Sequence, residues 1–209
     1  MSEPATKHDQ NSKPLLTAIV LAGGQSSRMG QDKALISIHG VPLLRRVCEV
    51  ALHCTDAVYV VTAWPEHYTT IVPSQCKLIQ EPQPDRPPGP LVGFAHALTQ
   101  VQSVWVLLLA CDLPRLQPEV LLSWIDRLPA ATETALLPKG DRGWEPLCGF
   151  YRTSCLPSLQ RAIVQGDRSF QGWLAGETVG ELQVSDRSLL FNCNTPADLR
   201  QLEQLPQNS

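Results

Sequence analysis

The sequence lacks a hydrophobic run long enough to cross a bilayer and lacks a broad excess of positive charge. Its longest strongly apolar run, residues 104–110, is far shorter than the ~20 residues of a membrane-spanning helix. Residues 1–16 are polar, contain no apolar stretch of the secretory type, and form an expected flexible tail. The net charge of -3 disfavours nucleic acid or a membrane surface as a partner, since both demand a basic field. These absences predict a cytoplasmic protein with a small anionic ligand.

The sequence also lacks the cysteine and histidine spacing of a metal site or a disulfide framework. Its seven cysteines are odd in number and include no Cys-x-x-Cys pair, and its five histidines are dispersed. Buried reduced thiols in a reducing compartment are therefore expected. No repeat divides the 209 residues, of which 43% are apolar, so a single domain over residues 17–205 is predicted.

Short apolar runs alternate with amphipathic ones, as in a parallel sheet covered by helices. The predicted fold class is α/β, with a mostly parallel central sheet and helices on both faces. Strands are predicted at 17–21, 57–62, 77–81 and 104–110, and helices at 42–53, 91–101 and 117–128. Beyond residue 128, strands at 134–137 and 146–151 and helices at 154–164 and 169–174 predict a lobe that frames a second substrate. A final helix at 196–205 is predicted to be capped by Thr195.

A glycine-rich loop with two cations follows the first predicted strand. Residues 21–33 read Leu-Ala-Gly-Gly-Gln-Ser-Ser-Arg-Met-Gly-Gln-Asp-Lys. Gly23 and Gly24 allow a sharp turn that brings backbone N–H groups close to phosphate oxygens. Arg28 adds a planar fork and Lys33 a mobile point charge. The spacing is neither that of a P-loop nor that of a dinucleotide fingerprint. We interpret the loop as a nucleoside triphosphate site; the alternative is an ordinary strand–loop–helix connection.

Asp112 lies just past the carboxyl end of the most apolar predicted strand, where open α/β sheets bind their ligands. A carboxylate there can hold Mg²⁺, which keeps several waters and takes triphosphate oxygens as its other ligands. Alternatively, Asp112 caps the helix that follows Pro114. The residue pattern alone leaves both interpretations open.

These motifs resemble those of a known family. Leu-Ala-Gly-Gly, Ser-Arg-Met-Gly and Asp-Lys within residues 21–33 are similar to the signature of the molybdenum cofactor guanylyltransferases, which load a nucleotide onto molybdopterin. The similarity continues through residues 89–93, 111–114, 145–147 and 192–199. It implies a Rossmann-like nucleotidyltransferase fold, Mg²⁺ as cofactor, and transfer of GMP from GTP to molybdopterin or its molybdenum form, with release of pyrophosphate.

The resemblance also assigns roles to individual residues. It implies a nucleotide-binding half at about residues 17–130 and a pterin-substrate half at about 131–205. Glu81 stands where the family more often has Asp, and Thr62 where better-known members have Asn, so triphosphate recognition is implied more directly than guanine recognition. The implied catalytic residues are Lys33, Arg28 and Asp112, with Asp112 as the metal ligand; the implied nucleotide-binding residues are Leu21, Ala22, Gly23, Gly24, Lys33, Glu81 and Asp112; the implied pterin-facing residues are Arg142, Glu145, Asn192 and Asn194.

The motifs leave alternative functions open. Within enzymes these are a CTP-dependent molybdopterin cytidylyltransferase and a sugar-phosphate nucleotidyltransferase, because the loop alone does not distinguish the bases or acceptors. A non-catalytic carrier of pterin or nucleotide with the same fold is a third alternative. Transient contact with cofactor-delivery or molybdoenzyme proteins is also expected, for direct transfer of a labile product, although no motif identifies such a partner.

Overall fold

The computed structural model describes residues 15–23, 32–82, 89–141 and 143–204. The predicted elements are present in these ranges, with boundaries shifted by a few residues at either end. The described strands are β1 Leu16–Leu21, β2 Ser37–Ile38, β3 Val41–Pro42, β4 Val58–Thr62, β5 Lys77–Gln80, β6 Trp105–Ala110, β7 Ala135–Gly140, β8 Gly143–Trp144, β9 Cys148–Arg152 and β10 Val179–Leu182. The described helices are α1 Leu43–Leu52, α2 Pro90–Leu98, α3 Pro118–Ile125, α4 Leu156–Val164, α5 Phe170–Leu174 and α6 Pro196–Glu203.

One mixed sheet runs in the order β10-β7-β9-β6-β1-β4-β5, and β8 pairs with β7 at its side. Strands β6, β1, β4 and β5 are parallel, so their carboxyl ends share one edge. β9 is antiparallel to both β6 and β7, whereas β7 and β10 are parallel. The mostly parallel sheet is thereby confirmed. The strands beyond residue 128 extend this same sheet, because β9 pairs directly with the central strand β6. That this part of the chain frames a second substrate stays a prediction.

Helices cover both faces of the sheet, as predicted. All six residues of β1 and all six of β6 are buried, which explains why all of them except Thr17 are apolar. Alternate β1 residues enter different cores: Ala18 and Val20 pack in the cluster that contains α1 and α3 residues. Ile19 and Leu21 pack with residues of α2, α4 and α5 on the opposite face. The central strands are therefore fixed from both sides.

Four short strands were not predicted from the sequence. The two-residue strands β2, β3 and β8 are too short to show a period, and β10 was missed because its Val-Gly-Glu-Leu sequence is half exposed.

All seven cysteines are free thiols. No helix in the described ranges has the length and apolarity needed to cross a membrane.

Candidate functional site

Three side chains from distant parts of the sequence meet near the carboxyl edge of the sheet. The Lys33 ammonium donates to Asp112 Oδ2 at 3.2 Å and also to Asn194 Oδ1. Lys33 begins a short 3₁₀ turn, Lys33–Leu35, Asp112 follows β6, and Asn194 precedes α6. The fold therefore joins a cation, a carboxylate and an amide that lie 79 and 161 positions apart in sequence.

Asp112 is held by its backbone, while one of its carboxylate oxygens lacks a hydrogen bond. The N–H of Cys193 donates to the Asp112 carbonyl at 3.0 Å. Among the described residues, the buried Oδ1 has no hydrogen-bond partner. Such an oxygen is costly to bury unless it binds something else. The alternative role as a helix cap is wrong, because the N-cap of α3 is Gln117.

The surroundings of Asp112 fit a divalent cation that is shared with a phosphorylated ligand. No cluster of three or more His, Cys, Asp or Glu side chains suited to a metal occurs in the parts of the chain that are described. Mg²⁺ does not need such a cage, because it is commonly held by one or two carboxylates, waters and substrate phosphates. The orphaned Asp112 Oδ1 is a suitable oxygen ligand for this arrangement.

The turn that carries Lys33 is fixed through the preceding residue, Asp32. Its Oδ1 accepts the N–H of Ala34 at 3.0 Å, and its Oδ2 accepts the hydroxyl of Tyr68. Tyr68 is 1% exposed, and burial raises its pKa well above the usual range, so the phenol remains a proton donor. Sequence reasoning missed Tyr68, which lies outside every recognised motif, in the irregular segment after β4.

Glu81 lies directly after β5, beside the first glycine of the loop and the first turn of α2. Its N–H donates to the carbonyl of Thr62 at 2.8 Å, which extends the β4–β5 ladder past the strand end. A Cβ placed on Gly23 would lie 3.7 Å from Glu81 Oε1, and one on Gly93 would overlap that same oxygen. Burial raises the pKa of the Glu81 carboxyl. Thr62 is fully buried, and its hydroxyl accepts the N–H of Trp64 at 3.2 Å, so it shapes the turn after β4.

The contact between Glu81 and Gly93 gives a test of Glu81 as a nucleotide-binding residue. In Gly93→Ala, the new Cβ would also lie 3.2 Å from Glu81 Cδ, so the carboxylate must move. Because the side chain is flexible and helical alanine is favoured over glycine, the melting temperature is expected to hold or rise. We expect the Kd for GTP to rise about tenfold, the usual order for a lost hydrogen bond to a charged group. Calorimetric titration with GTP measures this change.

A matched control is Gly176→Ala, where the added Cβ meets only the Trp173 carbonyl at 3.7 Å, an ordinary contact. This variant is expected to bind GTP like the parent protein. If Gly93→Ala also retains the parent affinity, the Glu81 carboxylate does not contribute to nucleotide binding.

A cavity of about 140 Å³ adjoins the Asp112 segment. Two of the residues predicted to face the pterin, Glu145 and Asn192, contribute to its wall, whereas Asn194 instead contacts Lys33. The Glu145 N–H donates to the Pro138 carbonyl at 2.9 Å, which fixes the segment between β8 and β9. The lining residues are Leu113, Glu145, Pro146, Leu147, Cys148, Leu190 and Asn192.

The remaining predicted site residues fall into two groups. Leu21 ends β1 and Ala22 follows it; both are buried, and the Ala22 N–H donates to the Val61 carbonyl at 2.9 Å, so their side chains belong to the core. Gly24, Arg28 and Arg142 lie outside the described residues, and their roles stay predictions.

Helix α6 positions Asn194 through the cap predicted at Thr195, which is confirmed. Thr195 Oγ1 accepts the N–H of Asp198 at 3.2 Å, and the Asp198 carboxylate accepts the N–H of Thr195 at 2.8 Å. The same carboxylate accepts the N–H of Asn194 at 2.9 Å. This reciprocal capping box therefore fixes the backbone of Asn194 as well as the start of the helix.

Comparisons with known proteins show which family the chain belongs to. A protein of Nostoc sp. named "Probable molybdenum cofactor guanylyltransferase" is 56% identical over 88% of each chain. The structure of molybdopterin-guanine dinucleotide biosynthesis protein A from Archaeoglobus fulgidus is 27% identical and covers 90% of this chain and 96% of its own, with a TM-score of 0.73. A manganese complex from Mycobacterium tuberculosis shares the fold at 17% identity, with a TM-score of 0.70, over 93% of this chain and 100% of its own. Residues 18–182 match the MobA-like NTP transferase domain, and the chain belongs to this family of nucleotidyltransferases.

Proposed function

We propose that this protein transfers GMP from GTP to the terminal phosphate of molybdopterin or its molybdenum form and releases pyrophosphate. The observation that carries the proposal is the Lys33 ammonium held against Asp112, with a cavity lined by Glu145 and Asn192 beside it. The relatives named for guanylyl transfer to the molybdenum cofactor support these two substrates.

The chemistry requires positioning more than acid–base catalysis. An oxygen of the acceptor phosphate attacks the α-phosphorus of GTP, and the bond between that phosphorus and the bridging oxygen to the β-phosphate breaks. The acceptor phosphate is already mostly dianionic at neutral pH, since second phosphate pKa values lie near ~6. No general base is needed to generate the nucleophile. Alignment of the two substrates and neutralisation of their charges therefore dominate the rate enhancement.

Lys33 is suited to the leaving group because its ammonium carries three donors on a flexible stem. In the structure this group is paired with Asp112, and the two side chains are 22% and 16% exposed, so solvent reaches both. A triphosphate that enters the site offers Lys33 stronger anionic acceptors. In this proposal Lys33 turns toward the β- and γ-phosphates and neutralises the charge that develops on pyrophosphate.

Without a bound cation, the Asp112 carboxylate would repel the triphosphate. Two unit charges 4 Å apart interact by about 4 kcal/mol at the effective dielectric near a protein surface. We therefore propose that Asp112 Oδ1 holds Mg²⁺, as its orphaned position allows. When bound, the cation would neutralise phosphate charge that Lys33 and the loop amides do not reach.

The acceptor is proposed to occupy the cavity next to Asp112. The Glu145 carboxylate accepts hydrogen bonds, and the Asn192 amide both donates and accepts, which matches the mixed edge of a pterin. Arg142 is retained in the proposal as a phosphate contact.

The cytoplasm is proposed as the location, because seven free thiols suit a reducing compartment. Direct transfer of the product to a recipient protein is proposed as well.

Product analysis with purified protein tests the function. The protein is mixed with molybdopterin, Mg²⁺ and either GTP or CTP, and the pyrophosphate and the dinucleotide are quantified. Parallel mixtures contain Mn²⁺, excess EDTA, sugar phosphates in place of molybdopterin, or no acceptor. We expect the guanine dinucleotide with GTP, little product with CTP, and none with EDTA.

Each other outcome identifies an alternative. Preference for CTP would make the protein a cytidylyltransferase, and product only with sugar phosphates as acceptors would make it a sugar-phosphate nucleotidyltransferase. Nucleotide binding without pyrophosphate release under any of these conditions would indicate a carrier.

A further inference from the structure

We propose that Tyr68 is a positioning residue of the reaction: its hydroxyl anchors Asp32, and Asp32 orients the turn from which Lys33 reaches Asp112 and Asn194. The inference rests on the proposed function, because Tyr68 acts only through the charge that Lys33 provides. Tyr68 itself does not need to touch either substrate.

Both oxygens of Asp32 are committed to this anchor. Oδ1 accepts the Ala34 N–H at 3.0 Å and thereby caps the turn, while Oδ2 accepts the Tyr68 hydroxyl. The Asp32 carbonyl also accepts the Leu35 N–H at 3.1 Å, so three contacts of one residue fix the turn around Lys33. A hydrogen bond from a phenol to a carboxylate is charge-assisted and about twice as strong as a neutral one.

Tyr68 is a rigid anchor because its ring lies in the core. It is 1% exposed and packs in the same cluster as Ala34, the residue that Asp32 caps. Its backbone is held as well: the N–H donates to Pro65 at 3.0 Å, and the carbonyl accepts from Ile71 and Val72 at 3.0 and 2.9 Å. The segment after β4 thus connects the sheet to the Lys33 turn.

Precise placement of Lys33 matters for the rate. A displacement of about 1 Å in a group that contacts the reacting atoms can lower turnover about 10²-fold. Lys33 has a long flexible stem, so its ammonium is placed only if its backbone is fixed and its acceptors are near. Its observed acceptors are Asp112 and Asn194, and its backbone is constrained by the three contacts of Asp32, one of which is with Tyr68.

The test is a double-mutant cycle on GTP-dependent pyrophosphate release. Tyr68→Phe removes only the hydroxyl, and we expect kcat/KM for GTP to fall about tenfold, the order expected for one charge-assisted hydrogen bond. In a Lys33→Ala background, the same substitution is expected to change the rate less than about twofold, because the charge that it positions is gone. The KM for molybdopterin is expected to stay at the parent value.

Two further variants complete the design. Tyr59→Phe removes a hydroxyl from β4 at a tyrosine whose ring contacts Lys77, and its kinetics are expected to match the parent. Asp32→Asn keeps the side-chain volume and removes the charge from the Tyr68 contact, so it reports on the anchor even if Tyr68→Phe lowers the melting temperature. It is expected to give a loss similar to that of Tyr68→Phe.

The outcomes separate this inference from the proposed function. If the parent protein forms no guanine dinucleotide, the proposed function fails. If the parent is active and Tyr68→Phe and Asp32→Asn both retain its kinetics, the inference is wrong and the function stands. Equal losses from Tyr68→Phe in the parent and the Lys33→Ala backgrounds would also overturn it, because the effect would then be independent of Lys33.

Discussion

Replacing Asp112 with alanine is expected to lower turnover ~10²–10³-fold, the usual effect of losing a charge-stabilising group. Asp112→Asn is expected to lose nearly as much, because an amide keeps the size of the side chain but not the negative charge that holds a cation. The effect on stability is expected to be small for two reasons. The ion pair with Lys33 is partly exposed and contributes little. The variant Asp112→Ala also removes a buried oxygen that has no described hydrogen-bond donor.

Steady-state kinetics over a range of Mg²⁺ or Mn²⁺ concentrations test this prediction, together with far-UV circular dichroism and melting curves. Asp112→Asn should require more cation for half-maximal activity. Asp126→Asn, at an exposed carboxylate at the end of α3, is the matched control and should behave like the parent. Full activity of Asp112→Ala at ordinary cation concentrations would remove Asp112 from the mechanism.

The sequence predicts the sheet and the place of Asp112 for one physical reason. A strand buried on both faces is apolar at nearly every position, as β6 is throughout and β1 is except at Thr17, and such a strand is recognisable without knowledge of its neighbours. A residue just past the carboxyl end of such a strand lies at the ligand-binding edge, and this predicts the place of Asp112. Glu81 lies at the same edge because it follows β5, but its role was implied by the family resemblance and not by its position.

Local sequence patterns do not predict the contacts that assemble the site. Lys33 and Asn194 are 161 positions apart, and their contact depends on the full course of the sheet. Asn192 and Asn194 were expected to share one role, but the irregular segment before α6 places Asn192 in the cavity wall and Asn194 on Lys33. Tyr68 carries no motif at all; its role follows from a tertiary contact with Asp32.

Lys33→Ala is expected to lower turnover by a similar ~10²–10³-fold, but for a different reason, since this variant loses the charge that we propose neutralises pyrophosphate. Lys33→Arg is expected to recover only part of the rate, because a planar guanidinium does not occupy the place of a compact ammonium between Asp112 and Asn194. Lys77→Ala, which removes an exposed ammonium on β5, is the control and should retain the parent rate. Pyrophosphate release at saturating GTP measures all three variants.

The cation dependence distinguishes the two roles, because in the proposed mechanism Lys33 and a divalent cation would compete for the Asp112 carboxylate. Loss of Asp112 should weaken cation binding, whereas loss of Lys33 removes a positive charge 3.2 Å from Asp112 Oδ2 and should strengthen it. Lys33→Ala is therefore expected to reach its reduced maximal rate at a lower Mg²⁺ concentration than the parent. A shift in the same direction for both variants would mean that Lys33 helps to build the cation site, and its assignment to the leaving group would be wrong.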